Sequence, residues 1–303
     1  YPIRPLLTGA VGLLRGDARP ILVILFMCIL AVTTVREVAN YWVDHWLSGR
    51  LPQVGQQLDA CNAASETPGE ITRALCRAIY FQFHRQLNLH ISIGDTTKLS
   101  AAAVATVIAY LWTSARMASR LTTSSGGMAA AAMRRETICA CLAAAAILLA
   151  PTLLSHIGKI AQGFFPGLGA IGHFYSTPLA IVRGSLSAVW FLIVAPFVLP
   201  ALPLALTFRD SALAEASRLG WNRYLEFAAL AAVTTAPFIG LAVLANWSLR
   251  VPVIYFLVGR LDLDSHFSRA LFDTLLTTLA LVAVVATAAA FTVAVGRRTQ
   301  DAR

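Results

Sequence analysis

Apolar and polar positions alternate along this chain in long blocks, and the blocks predict helices of membrane-crossing length. Crossing about 30 Å of hydrocarbon takes roughly 20 apolar residues. Six stretches meet or approach that length: Pro20 to Glu37, Leu99 to Ala115, Thr137 to Ser155, Ala180 to Phe208, Phe227 to Trp247 and Ala270 to Gly296. A seventh apolar piece, Val251 to Val258, is too short to span and reads as interfacial or re-entrant. Two further segments predict helices lying in the headgroup plane. "RPLLTGAVGLLRGDARP" precedes the first span, with Arg4, Arg15 and Arg19 spaced along it. "ITRALCRAIYFQFHRQL" places Ile71, Leu75, Ile79, Phe83 and Leu87 every four residues, a helical stripe. The polar run from Ser48 to Ile71, rich in Gln, Ser, Pro and Gly, reads as an external loop. The expected fold is therefore all-α: one polytopic membrane bundle over residues 1–303, six spans with interfacial amphipathic helices, and an external elaboration at 48–98.

Composition strengthens this picture. The chain is 57% hydrophobic and 13% charged, against about 25% charged in soluble domains, and its mean hydropathy is +0.68. The net charge of +9 is scattered arginine between apolar blocks, which points to loop charge that sets topology rather than to nucleic acid. Six spans put both termini on one side. That side carries 13 Arg and 6 acidic residues, including the pairs Arg134-Arg135 and Arg297-Arg298; the other carries 11 Lys/Arg and 9 acidic residues. The positive-inside rule then makes both termini cytoplasmic, in a membrane expected to be the bacterial inner membrane. Tyr41, Trp42, Trp46 and Trp247 sit where an outer aromatic belt belongs, and Trp112 and Trp221 where the inner one does. The chain opens at Tyr1 rather than Met, which leaves open whether residues precede it. The first apolar stretch lacks a small-residue cleavage site, as a signal anchor would.

Candidate chemistry is sparse. Cys61 and Cys76, fifteen positions apart in the external region, are either a disulfide or two separate thiols. Cys28, Cys139 and Cys141 fall inside spans and read as packing residues. All six histidines fall on the expected external side. His45, His84 and His90 are the candidate metal or haem ligands, although no HxxxH or HExxH spacing is present. The competing reading is scattered interfacial histidines, with an apolar body and a polar tip. Arg183 and Asp273, each one turn into a span at its outer end, are a candidate intramembrane pair; the alternative is that each snorkels to the interface. No acidic residue falls mid-bilayer, which argues against a carrier using a buried carboxylate. No GxSxG, P-loop, dinucleotide fingerprint or zinc motif occurs, so no catalytic residue and no cofactor is expected beyond bound lipids, with haem or metal confined to the histidine reading. Pro196, Pro200 and Pro203 share one helical face in "APFVLPALPLA" and predict a fixed bend in the fourth span.

The bent span runs into "TFRDSALAEASRLGWNRYLEF" (Thr207 to Phe227). Glu215, Ala216, Ser217, Arg218, Trp221 and Arg223 give this junction a pattern that resembles the YciC-like and glycerophosphodiester-phosphodiesterase membrane-domain group of bacterial proteins. Here Arg218-Leu219-Gly220 separates the Ser from the Trp. The resemblance implies a six-helix membrane domain with an interfacial N-terminal helix, and no chemistry. The expectation is a non-catalytic membrane accessory or scaffold subunit, packing on lipids and on other membrane proteins. Two alternatives stay open: a small-solute or lipid transporter or channel with the proline-bent helix as its moving element, and a redox or metal-binding subunit using the external histidines.

Overall fold

The structure of the protein is a computed structural model that describes residues 3–63, 70–121, 139, 142–148, 150, 154, 189–201, 203–204, 212–245, 250–261 and 265–301. Every regular element among them is helical. In chain order they are α1 (Ile3–Gly16), α2 (Ala18–Ala63), α3 (Glu70–Leu121), α4 (Val189–Val198), α5 (Ala212–Asn222), α6 (Tyr224–Leu244), α7 (Arg250–Leu261) and α8 (Ser265–Asp301). Three helical stretches are long and apolar enough to cross a membrane: Ala18–Gln57, Cys76–Ala118 and Phe267–Gly296. Val189–Val198 and Tyr224–Phe238 are apolar but shorter. About half of the expected third span, Thr137 to Ser155, lies outside the described residues, and 142–148 within it is helical.

The chain divides into two compact units. The first comprises Tyr1–Thr33, Ala102–Pro151 and Ser185–Arg303; the second comprises Thr34–Ala101 and Thr152–Gly184.

At the centre of the first unit is α8. Residues 287–295 are buried on every face, and a helix apolar all round belongs inside a bundle. Its alanines, Ala288, Ala289, Ala290 and Ala294, bring neighbours close. It packs chiefly on α6, and also on α1 and α7. Phe291 meets Phe227 of α6 with ring centroids 5.5 Å apart, both rings fully buried. Thr287 Oγ1 lies 3.1 Å from Thr234 Oγ1, while Thr234 donates to the Leu230 carbonyl at 2.9 Å. Helix α1 buries Leu6 and Ala10, so the amphipathic N-terminal segment docks on protein as well as displaying its arginines.

The first half of α2 is apolar on both faces. Ile21, Leu25, Cys28 and Val32 are buried, while Leu22, Val23, Phe26, Met27 and Leu30 are 50–64% exposed. Water tolerates no such continuous apolar stripe on a folded surface; hydrocarbon does.

The second unit corrects one expectation. Within the expected loop from Ser48 to Ile71, Ser48 to Ala63 is helical, because α2 continues through Ala63; α3 begins at Glu70, and residues 64–69 lie outside the described residues. Leu47, Leu51, Val54 and Leu58 recur at spacings of four, three and four, the period of a helix packed on one partner. Pro52 sits inside α2 and cannot donate to the Ser48 carbonyl. Both residues are exposed, where solvent replaces the lost bond. The expected second span, Leu99 to Ala115, is likewise one part of the 52-residue α3.

Candidate functional site

Within the second unit, α2 and α3 run antiparallel, and their facing side chains form a ladder of rings. Trp46 stacks on His90 at 4.0 Å between centroids, Trp42 on His90 at 5.0 Å, and Trp46 on Phe83 at 6.3 Å. Tyr41 stacks on His45 at 5.8 Å. The helices also approach closely at Gly94, where a Cβ would lie 3.1 Å from Val43 Cγ2 and 3.9 Å from the Ala39 carbonyl oxygen. The Nδ1–H of His90 donates to the Gln86 carbonyl at 2.9 Å, so the imidazole is held edge-on by its own helix and face-on by two indoles. Beyond Trp46 the seam opens into a groove of about 270 Å³. Gln53, Gln57, Gln82 and Gln86 line it with Arg50, over a floor of Val54, Ile79 and Phe83. No acidic side chain lines it among the described residues.

Of the three candidate histidine ligands, His90 is committed to the ring ladder and His45 to Tyr41, while the side chain of His84 lies outside the described residues. No group of three His, Cys, Asp or Glu among the described residues is placed to hold a metal ion. Cys76 is disulfide-bonded; the side chain of Cys61 lies outside the described residues. Cys28 is a free, buried thiol whose Sγ approaches the Ala105 carbonyl at 3.7 Å, and Cys139 is free and exposed. Arg183 lies outside the described residues, and Asp273 is half-buried on α8.

The proline segment is described more fully, and it lies in the first unit. Helix α4 ends at Val198, Leu199 and Pro200 form a turn, and helical geometry resumes at Ala201. Bonds of helical spacing run across the turn, from Leu199 N–H to the Ala195 carbonyl (2.9 Å) and from Leu204 N–H to the Pro200 carbonyl (3.1 Å). A proline leaves the carbonyl four residues earlier without its helical donor. Pro196, Pro200 and Pro203 therefore free the carbonyls of Leu192, Pro196 and Leu199. Tyr224 O–H of α6 reaches the Leu192 carbonyl at 3.4 Å, and Tyr110 O–H of α3 donates to the Leu199 carbonyl at 3.0 Å. The Pro196 carbonyl faces Gly220 of α5 so closely that a Cβ there would be 2.5 Å from the oxygen. Each freed carbonyl thus meets a different helix. All three prolines are fully buried.

Sequence reasoning missed a second polar feature of the first unit. Asp17, in the turn between α1 and α2, is 2% exposed and accepts from Arg116 Nε of α3 at 3.1 Å. The sequence placed Asp17 in the interfacial segment before the first span and Arg116 at a cytoplasmic loop. The separation of 99 positions leaves no local signal that they pair. One turn earlier on α3, the Thr113 and Ser114 hydroxyls are buried without a hydrogen-bond partner among the described residues.

These features define an all-helical chain with helices able to cross a membrane and a polar, aromatic-edged hairpin. No protein-family model, curated protein or solved structure matches the chain.

Proposed function

We propose that the protein is a non-catalytic membrane scaffold or accessory subunit, a six-span bundle of a bacterial inner membrane with both termini cytoplasmic, whose α2–α3 hairpin engages partner membrane proteins outside the bilayer. The observation that carries this reading is helix length. At 1.5 Å per residue, the 46 residues of α2 and the 52 of α3 are about 70 and 80 Å long, more than twice the roughly 30 Å of hydrocarbon. The apolar part of α2 ends near Val38. From Asp44 onward the helix carries His, Ser, Arg and Gln, so this half belongs in water. Tyr80 and Phe81 are exposed on the α3 arm, at 50% and 68%, and exposed aromatics of this kind serve as anchors at protein interfaces. The Tyr110 and Tyr224 hydrogen bonds and the close-packed Gly220 around the prolines favour a fixed bend over a moving element.

Purification from native membranes in mild detergent, after photo-crosslinking from Phe81, tests the reading. A defined membrane-protein partner cross-linked at Phe81 and lost with Tyr80→Ala/Phe81→Ala is the expected result. A protein that purifies alone and conducts solute when reconstituted in liposomes would refute it. Single cysteines at Gln56 and Thr299 test the topology. Impermeant thiol reagents should label the first from outside and the second only after the membrane is opened.

A further inference from the structure

The geometry points to a ligand site on the same hairpin: the groove bounded by Arg50, Gln53, Gln57, Gln82, Gln86 and Phe83 binds a phosphorylated polyol, the chemistry of an inositol phosphate or glycerophosphate headgroup. This goes beyond the scaffold reading and does not depend on a protein partner.

The lining chooses the ligand class. With one guanidinium and no carboxylate among its lining residues, the groove selects against cations and for a single anionic group. The planar fork of Arg50 suits an oxyanion approached by two parallel N–H bonds. Each glutamine amide offers two donors and a carbonyl acceptor. Four of them around one groove make a mixed donor–acceptor wall, and a set of vicinal hydroxyls, each donor and acceptor at once, matches that wall. The apolar faces of Val54, Ile79 and Phe83 fit the C–H face of a small ring.

The polar groups are also uncommitted. Glutamines that served only to zip the two helices together would be bonded across the seam. No side-chain bond of Arg50, Gln53, Gln57, Gln82 or Gln86 is made among the described residues. The cavity of about 270 Å³ falls just below the roughly 300–1,000 Å³ of drug-sized ligand pockets, room for one polar headgroup and not for acyl chains. The ring ladder of Trp42, Trp46 and His90 begins one turn before Arg50. Indoles mark the headgroup level, so both a lipid headgroup and its free counterpart are sterically admissible.

Titration calorimetry of the full chain in detergent with myo-inositol 1-phosphate, and native mass spectrometry from nanodiscs of phosphatidylcholine with and without phosphatidylinositol, separate the sources. Binding of the free phosphate ester assigns a soluble ligand. Retention of phosphatidylinositol alone assigns the lipid headgroup. In either case Arg50→Gln should weaken binding by about 10- to 100-fold, the size of one charge-assisted pair. Gln82→Leu/Gln86→Leu should weaken it further while leaving the response to inorganic phosphate unchanged. All these side chains are exposed, so helix content by circular dichroism should match the wild type and exclude misfolding. If neither probe binds, or if Arg50→Gln binds within twofold of the wild type, the assignment is wrong.

Discussion

Replacing Gly220 by alanine separates helix propensity from packing by the sign of the outcome. Gly220 lies in the last turn and a half of α5, at a buried position. On propensity alone, Gly→Ala in a helix stabilises by about 1 kcal/mol. The structure says otherwise. The new methyl would sit 2.5 Å from the Pro196 carbonyl oxygen and 3.0 Å from both Cα and Cδ1 of Phe197. Carbon–oxygen contacts between packed helices lie near about 3.3–3.6 Å, so α5 must retreat by nearly an ångström from the backbone of α4. That retreat loosens Phe197 from Trp221 and Tyr224, now 6.4 and 5.7 Å away between centroids. Overpacking of this kind costs roughly 1–3 kcal/mol. Gly12→Ala is the control: it gains the same propensity in α1 and meets nothing within 4 Å. The two variants therefore differ by the clash alone, which at about 2–4 °C per kcal/mol separates their midpoints by roughly 2–12 °C. Thermal unfolding followed by circular dichroism in mild detergent reads the difference. A Gly220→Ala protein as stable as Gly12→Ala would refute the close approach of α5 to the proline segment.

Other consequences are as direct. Tyr110→Phe leaves the buried Leu199 carbonyl without its donor and should destabilise by about 1–3 kcal/mol in the same unfolding assay, with helix content unchanged. Asp17→Asn leaves Arg116 without its charge partner. Because Arg116 is 47% exposed and solvent screens it, the loss should stay near about 1 kcal/mol, and a double-mutant cycle with Arg116→Met should recover most of it. His90→Ala removes the ring shared by Trp42 and Trp46, at about 0.5–1.5 kcal/mol per aromatic contact, and should shift tryptophan emission to the red. Non-reducing peptide mapping should recover Cys76 cross-linked to Cys61; a Cys76 peptide joined to any other cysteine would exclude that pairing.

What the sequence made legible follows from how local each signal is. Hydrocarbon-length apolar runs depend only on neighbours along the chain, so Pro20 to Glu37 and Ala270 to Gly296 fall within α2 and α8. The stretch from Ser48 to Ala63 was hidden for an instructive reason. Its Gln, Ser, Gly and Pro content is that of a loop, and the Leu47, Leu51, Val54, Leu58 stripe is only one residue wide. Composition outweighed a period that only a second helix makes meaningful. Asp17 with Arg116, and Tyr110 with Leu199, join positions 99 and 89 apart. Nothing in either local sequence differs from an ordinary loop charge or a belt tyrosine.

The prolines connect the two kinds of signal. Their spacing of four and three is visible in the sequence, and it dictates that the carbonyls they free, on Leu192, Pro196 and Leu199, also share one face. Unsatisfied, each would cost about 1–3 kcal/mol away from water. Here Tyr224 of α6 and Tyr110 of α3 supply hydroxyl donors to the Leu192 and Leu199 carbonyls, and Gly220 of α5 packs against the third, on Pro196. Swinging the segment as a hinge would break two hydrogen bonds and one glycine contact together, for no compensating charge or ligand among the described residues. The same prolines that weaken α4 as a free helix release backbone groups that contact three other helices, and this arrangement is what supports the proposed fixed bend.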